Sequence, residues 1–373
     1  MRVLELGGNW SGPLVGLFLR SLGAEVIRIE SPNHLDTMRL LPAPRVAGRK
    51  IDGVGQEDNP YFAQLNAGKR SVTADLSTSE GRMVVLELLD DVDVLVENMA
   101  PGALERLGLG YRVLSDRNPA VCVLSLPALH PGDALGDLRG YAPVFTGMGG
   151  LEILATPVEG SRAVGMLETG WGDPNGGTVG LLGLLAALVR RARTGVGVHV
   201  ICSQVKAVTW QLDRAFFRHT SPVGLRPEHG GSDGDWQVVL PVDDGGWLAV
   251  GGDPAKALTV VAGLGLTSRD LLAEWSKSRS SAEVARAFRA GGLHTAPVIT
   301  AEDAARAERA RVRGVAEEID HPLLGPVARF HVPWLLDGVA PRCDGRPPAL
   351  GEGAEELLRA PRDAAPERRC EHD

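Results

Sequence analysis

A single aspartate, Asp173, stands in a glycine-rich turn that runs directly into a long apolar segment. Gly172 precedes it, and Gly176 and Gly177 follow within one helical turn. Because glycine has no side chain, these residues should expose backbone around the carboxylate and leave room for a large ligand. The alternative hypothesis is structural, since an aspartate followed by Pro174 is typical of a helix N-cap with proline at the first helical position.

The segment that follows predicts one long helix, which would position the carboxylate at its start. Leucines recur at helical spacing from Leu181 to Leu188, and Gly195 supplies a stop. Gly180 and Gly183 lower helix propensity, so we expect them to allow close packing against a neighbouring element.

Upstream of this helix, short apolar strands alternate with helical segments. Alternation of this kind predicts an α/β fold with a mostly parallel sheet, and ligands bind beyond the carboxyl ends of such strands. The polar turns that we expect to share one crevice are Gly7–Trp10, Ser31, Glu97–Asn98 and Pro127–His130. The predicted strands are Val3–Leu6, Val26–Ile29, Ser71–Leu76, Val92–Val96 and Ala120–Leu126.

The turn after the first strand contains Gly7, Gly8 and Gly12. Their spacing differs from G-x-G-x-x-G, in which glycines bring a pyrophosphate to a helix N-terminus, so we predict a turn that accepts another ligand. The segment from Ser31 to Asn59 has no sustained periodicity and includes several basic residues, among them Arg39. It predicts a long loop in which phosphate contact is an option.

The composition changes after about residue 225. Trp236–Leu240 and Trp247–Val250 predict a β-hairpin around Asp243–Gly246, and helical patterns dominate Pro254–Arg313. We therefore predict a large α/β domain over residues 1–220 and a smaller α+β domain over 225–325. Residues 326–373 form a C-terminal segment whose charged tail, from 361, we expect to be disordered.

The composition of the 373-residue chain excludes several classes of protein. A formal net charge of -8 argues against a non-specific nucleic-acid surface, and the 4 cysteines, which form no C-x-x-C pair, indicate neither a disulfide framework nor a zinc site. The longest apolar run, within Thr178–Val189, is too short and too glycine-broken to span a bilayer. A strand beginning at Val3 leaves no room for a signal peptide, so we expect a cytoplasmic protein without a membrane or nucleic-acid partner.

Several motifs occur in one order along nearly the whole chain. They are LELGGNWSGPLVGLFLRSLGAEVIRIESP, NAGKRSVTADLSTSEG, DVLVENMAPGALERLGLGY, GDPNGG, GGLHTAPVITAEDA and EEIDHPLLGPV. In this order they resemble the class III coenzyme A (CoA) transferases, which include formyl-CoA and carnitine-CoA transferases and the related α-methylacyl-CoA racemases. The resemblance implies an acyl-CoA and a carboxylic acid as substrates, without a metal or redox cofactor. It also implies an interlocked, ring-like homodimer in which both termini of each chain build a large Rossmann-like domain.

The resemblance gives Asp173 the catalytic role. A carboxylate is a weak nucleophile toward a thioester, but binding of the CoA moiety makes the attack effectively unimolecular. As the family implies it, Asp173 forms a mixed anhydride and then an aspartyl-CoA thioester, from which an incoming acid takes the CoA. The residues expected at the CoA site are Asn9, Trp10, Ser11, Arg39, Asn98, Ala103, Arg106 and Arg139.

Two further features bear on the active site. Gly230, Gly231 and Gly234 resemble the family's mobile loop, which shields reactive acyl intermediates from water; the alternative is an interdomain linker. Trp10 and Trp171 lie in the turns expected to face the acyl group, where they suggest an aromatic lining or, alternatively, buried packing.

The chain departs from the racemases at one position. These enzymes use a histidine and an aspartate as a pair of bases, and Tyr141 stands where the histidine is expected. Because an unperturbed tyrosine titrates at about 10, it is a poor base at neutral pH, although His130 is nearby in sequence. CoA transfer is therefore the leading hypothesis, with a 2-methylacyl-CoA racemase or a CoA-binding protein without turnover as alternatives.

Overall fold

The computed structural model describes residues 1–42, 54–152, 170–212, 236–267, 269–300, 303, 316–321 and 323–359. The contacts divide the chain into two units, Met1–Asp213 with Glu318–Asp373, and Arg214–Glu317. The predicted mobile-loop glycines, Gly230, Gly231 and Gly234, and the tail from residue 361 lie outside the described residues.

A parallel sheet forms the centre of the first unit. Its strands are β1 (Arg2–Leu6), β2 (Glu25–Glu30), β3 (Arg70–Thr73), β4 (Val94–Glu97), β5 (Cys122–Ser125) and β6 (His199–Ile201). They are hydrogen bonded in the order β3-β2-β1-β4-β5-β6, and all neighbours run parallel. The predicted α/β fold is confirmed, and the strand order is Rossmann-like. This order reverses between β1 and β4, the point at which open parallel sheets bind ligands.

Helices connect the strands and cover both faces of the sheet. They are α1 (Ser11–Ser21), α2 (Thr37–Leu40), α3 (Pro60–Asn66), α4 (Ser79–Leu89), α5 (Ala103–Arg106), α6 (Tyr111–Arg117), α7 (Ala142–Gly149), α8 (Gly172–Thr194) and α9 (Gln204–Trp210). Leu4 and Leu6 of β1 pack in a core with residues of α4 and α6, whereas Val3 packs in a second core with residues of α1 and α8. Because the strands are buried on both faces, their sequences are mostly apolar.

The start of α8 differs from its prediction. Trp171 is the N-cap and makes no side-chain capping bond, so Asp173 and Pro174 are the second and third residues of the helix. The hypothesis that Asp173 caps the helix is therefore wrong. The other end agrees with the sequence, since Gly195 follows the last residue with a φ of 71°.

Glycines inside α8 allow the close packing that the sequence predicts. A β-carbon on Gly180 would lie 2.6 Å from Leu126 Cδ2, and one on Gly183 would lie 3.1 Å from Val200 Cγ1. The helix can therefore approach the sheet more closely than side chains at these positions would permit.

The second unit contains an antiparallel sheet with helices on one face. Its elements are β7 (Trp236–Pro241), β8 (Trp247–Gly252), α10 (Pro254–Gly263), α11 (Arg269–Lys277), α12 (Ser281–Ala290) and β9 (His294–Val298). The predicted hairpin is confirmed by the pairing of β7 with β8. The purely helical pattern expected after it is wrong, because β9 pairs with β8 as an edge strand that tolerates Pro297.

The C-terminal segment contains β10 (Ala316–His321), β11 (Gly325–Phe330) and α13 (Ala354–Arg359). β10 and β11 form a two-stranded sheet. Farther along the chain, the Gly353 N–H donates to the Ser71 carbonyl oxygen of β3 at 2.8 Å, which joins this segment to the parallel sheet. Among the described helices, none has both the length and the apolar character needed to cross a membrane.

Candidate active site

Backbone from two other helices lies close to Asp173. A β-carbon on Gly172 would lie 2.7 Å from the Ala142 carbonyl oxygen at the start of α7. One on Gly177 would lie 2.9 Å from the Ser11 carbonyl oxygen at the start of α1. The space beside these glycines is thus filled by protein and is not left for a ligand. Their absent side chains allow three helix ends to meet at one carboxylate.

The Asp173 carboxyl is buried and poorly solvated, with 8% of the residue exposed. Burial raises the pKa of Asp173 from 3.8 to about 6, and hydrogen bonding from the Ala142 N–H and the Ser11 hydroxyl limits the rise. At neutral pH most of the population is ionised, yet the charge lacks the water shell of a surface carboxylate. This is a state in which a carboxylate can act as a nucleophile.

The turn between β1 and α1 is held in a constrained conformation. Asn9 has a φ of 60°, in the left-handed region, where asparagine is tolerated better than most side chains. Its N–H donates to Asp36 Oδ1 at 3.1 Å, and Arg28 Nη2 donates to Asp36 Oδ2 at 2.7 Å. Trp10 follows as the N-cap of α1, and a β-carbon on Gly170 would lie 4.0 Å from its Cζ3 atom. The indole therefore lies beside the turn that carries Asp173.

Asn98, at the end of β4, binds this turn through its side chain. Its Oδ1 accepts from the Gly8 N–H at 3.2 Å, while its Nδ2 donates to the Gly8 carbonyl oxygen at 2.8 Å and to Ser11 Oγ at 3.1 Å. A β-carbon on Gly12 would lie 2.9 Å from Asn98 Oδ1, and one on Gly7 would collide with the same atom. These two glycines make room for the Asn98 amide, which explains their departure from the dinucleotide-binding spacing.

A cavity of about 370 Å³ opens beyond the carboxyl ends of β1 to β4. Part of the predicted crevice is found here, because Gly7, Gly8 and Asn9 of the first turn and Ser31 line it. The Pro127–His130 turn is not among its lining residues. The opposite side of the cavity includes His34, Asp75, Met99 and Leu107.

Two of the predicted basic residues lie at the surface. Arg106, in α5, is exposed and donates from Nη1 to the Pro101 carbonyl oxygen at 2.9 Å. Arg139 is also exposed, and Ala103, the first residue of α5, is half-buried. Both guanidinium groups are accessible to a phosphate, which arginine can bind through paired hydrogen bonds.

Arg39 lies in a different environment from the one predicted. It is 2% exposed and makes a bidentate pair with Glu30, with two N···O distances of 2.9 Å. It also donates to Glu57 at 2.8 Å and to the Pro348 carbonyl oxygen at 3.0 Å, and its guanidinium stacks on Phe62 at 3.7 Å. Because these partners hold the charge in the core, Arg39 is an internal structural residue, and the expectation that it contacts CoA is corrected.

The sequence analysis overlooked a buried polar cluster at the ends of β4 and β5. Burial raises the pKa of Glu97, a rise that hydrogen bonding from Ser125 and the Met99 N–H opposes. Ser125 Oγ lies 2.8 Å from His199 Nε2, and burial lowers the pKa of His199. The signal in the sequence is a polar residue at the end of an otherwise apolar strand, which recurs in β4 and β5.

The two side chains considered as alternative bases lie apart from this cluster. Tyr141 is the N-cap of α7 and is 63% exposed. His130 Nδ1 lies 2.9 Å from Lys206 Nζ, and the same ammonium pairs with Asp133 at 2.7 Å. His130 therefore belongs to a charged surface group. Within the described parts of the chain, no three His, Cys, Asp or Glu side chains are grouped so that they could hold a metal ion.

Comparisons with known proteins agree with this architecture. Residues 1–354 match the family model described as CoA-transferase family III. A succinyl-CoA–D-citramalate CoA-transferase from Chloroflexus aurantiacus is 26% identical, covering 96% of this chain and 92% of that protein. A formyl-CoA:oxalate CoA-transferase from Rhodopseudomonas palustris is also 26% identical, with the same coverage of 96% and 92%.

Solved structures give the same result. The crystal structure of a CAIB/BAIF family protein from Brucella suis superposes with a TM-score of 0.78 at 27% identity, covering 96% of this chain and 97% of that one. The family match extends over both described units and over the helix that carries Asp173. The chain therefore belongs to CoA-transferase family III.

Proposed function

We propose that this enzyme moves CoA from an acyl-CoA donor to a carboxylic acid, with Asp173 as the covalent carrier. The observation that supports this proposal most directly is the buried Asp173 carboxylate, which lies where α1, α7 and α8 meet. Structural carboxylates in a core are normally neutralised by a cation. For Asp173 the groups that stabilise the ionised form are the Ala142 N–H and the Ser11 hydroxyl, which are neutral donors.

The proposed reaction proceeds in balanced steps. The Asp173 carboxylate attacks the thioester carbonyl, the C–S bond breaks, and the CoA thiolate leaves a mixed anhydride. The thiolate then attacks the aspartyl carbonyl, which gives an aspartyl-CoA thioester and releases the donor acid as its carboxylate. The acceptor carboxylate attacks this thioester, and the thiolate released in that step attacks the acceptor acyl carbon. The products are the new acyl-CoA and free Asp173.

The first turn of α8 would assist the attack electrostatically. The N–H groups at a helix start have no partner within the helix and can stabilise negative charge that develops on a nearby oxygen. Gly172 and Asp173 carry such N–H groups, whereas Pro174, the third residue of the helix, has none. Trp10 and the 49% exposed Trp171 flank the carboxylate turn, and we propose that the acyl group lies against them.

The cavity at the carboxyl ends of β1 to β4 is the proposed site of the nucleotide part of CoA. It lies at the reversal of strand order, where parallel sheets bind nucleotides, and its volume of about 370 Å³ suits part of a large ligand. Arg106 and Arg139, both exposed, are the proposed phosphate contacts. The interlocked homodimer, the cytoplasmic location, the glycine loop at Gly230–Gly234 and the lack of a metal requirement are parts of the same proposal.

The test is a search for the covalent carrier. The protein is incubated with succinyl-CoA, acetyl-CoA, formyl-CoA and related thioesters, treated with hydroxylamine or borohydride, digested and analysed by mass spectrometry. We expect a modification at Asp173 and loss of transfer in Asp173→Ala. Asp116→Ala, which removes an exposed carboxylate of α6, is the matched control and should keep full activity. Full transfer by Asp173→Ala, with no adduct at residue 173, would overturn the mechanism.

The acceptor and the competing reaction can be resolved in one series. A panel of acids that includes oxalate and citramalate, the acceptors in the names of two relatives, identifies the acid by formation of its CoA thioester. A 2-methylacyl-CoA racemase would instead take up solvent deuterium at the α-carbon without any acceptor. We expect acceptor-dependent exchange and no such uptake, because Tyr141 is an exposed N-cap.

A further inference from the structure

The Asn98 carboxamide is fully occupied by the turn that faces Asp173. Its oxygen accepts from the Gly8 N–H, and the two N–H groups on Nδ2 donate to the Gly8 carbonyl oxygen and to Ser11 Oγ. A carboxamide has two donor hydrogens, so neither is left for a ligand. Contact between this side chain and CoA, as the resemblance implies, would break a bond that the fold already makes.

Ser11 continues the contact from Asn98 toward the carboxylate. The residue is completely buried, and its carbonyl oxygen packs against Gly177, one turn after Asp173 in α8. A hydroxyl has one hydrogen to donate. Because Ser11 Oγ accepts from Asn98, that hydrogen is free to point at the Asp173 carboxylate, to which Ser11 is hydrogen bonded.

We propose that Asn98 and Ser11 form a donor relay that positions the Asp173 carboxylate for attack. Asn98 orients Ser11, Ser11 holds one carboxylate oxygen, and the other oxygen stays free to form the new bond. Asn98 and Ser11 are positioning residues, since neither needs to touch the reacting carbonyl. The catalytic part of this inference rests on the proposed function, whereas the geometry of the relay does not.

The relay can be tested without a substrate by following the ionisation of Asp173. Protein labelled with ¹³C-aspartate is titrated by NMR, and a difference spectrum against Asp173→Asn assigns the signal. We expect a midpoint near pH 6 in the wild type, and a midpoint higher by about one pH unit in Ser11→Ala, because the ionised form loses a donor. Ser11→Thr, which keeps the hydroxyl, should restore the wild-type midpoint.

A double-mutant cycle separates the relay from independent effects. Asn98→Ala should raise the same midpoint in the wild type and have little further effect in Ser11→Ala. Equal effects of Asn98→Ala in both backgrounds would overturn the relay. So would an unchanged midpoint in Ser11→Ala, a result that needs no Asn98 variant and therefore decides even if Asn98→Ala fails to fold.

Kinetics distinguish failure of this inference from failure of the proposed function. Single-turnover formation of the Asp173 adduct should be about tenfold slower in Ser11→Ala, with CoA affinity unchanged. Wild-type adduct formation in Ser11→Ala, with no adduct in Asp173→Ala, would refute the relay alone. Full transfer by Asp173→Ala would refute the covalent mechanism while leaving the titration result standing.

Discussion

Replacing Asp173 with asparagine should make the ligand-free protein more stable at neutral pH. The side chain keeps its shape, and its amide oxygen can still accept from Ser11 and Ala142, but the poorly solvated charge is gone. Burial raises the pKa from 3.8 to about 6, so the folded state disfavours the ionised form by about 3 kcal/mol. Only 8% of the residue is exposed, and water therefore screens little of this cost.

The pH dependence of this effect has a definite sign. Below about pH 3.8 the carboxyl is protonated in both folded and unfolded chains, and the charge costs nothing. As the pH rises from 3.8 toward 6, the folded state keeps its proton longer, and stability is lost. The advantage of Asp173→Asn should therefore be about 3 kcal/mol at pH 8 and about half of that at pH 5.

Thermal unfolding of both proteins without ligands, at pH 5 and at pH 8, measures this difference. Asp116→Asn, at an exposed position on α6, is the control, and a surface change of this kind should alter stability by less than about 0.5 kcal/mol at either pH. The argument is refuted if Asp173→Asn melts at or below the wild-type temperature at pH 8. An advantage of equal size at both pH values would also refute it, because the cost would then not come from the charge.

Two further substitutions test the packing around the site. Gly180→Ala should destabilise the fold by about 1–3 kcal/mol in denaturant unfolding, since its β-carbon would lie 2.6 Å from Leu126. Gly147→Ala, in α7, would meet nothing within 4 Å and should be neutral or slightly stabilising; equal losses would contradict the contact argument. Arg39→Met should cost about 3–5 kcal/mol by leaving Glu30 buried without its partner, and any folded fraction should bind CoA with wild-type affinity in calorimetry. Weaker binding by a stably folded Arg39→Met would return this residue to the ligand site.

Local patterns were sufficient to predict most of the framework. The apolar strands, the leucine repeat of α8, its glycine stop at Gly195 and the hairpin of the second unit all depend on neighbours in sequence. These features follow from side-chain periodicity and backbone freedom, which a single chain displays directly. The position of Asp173 near the start of the long helix belongs to the same class.

Long-range partners determined what the sequence could not show. The pattern around Arg39 is that of a basic loop, yet Glu30, Glu57 and the distant Pro348 hold its charge in the core. β9 is a strand because β8 offers it hydrogen-bonding partners, although its own sequence contains Pro297. In both cases the deciding contact joins residues that are separated along the chain.

The state of the Asp173 carboxylate is the clearest example. From sequence it was a helix cap or an accessible ligand site, because glycines on both sides leave either possibility open. In the folded chain the same glycines admit the backbones of α1 and α7, and these exclude water and raise the carboxyl pKa to about 6. The sequence supplied the residue and its helix, but desolvation depends on which distant atoms fill the space, and that is a property of the folded chain.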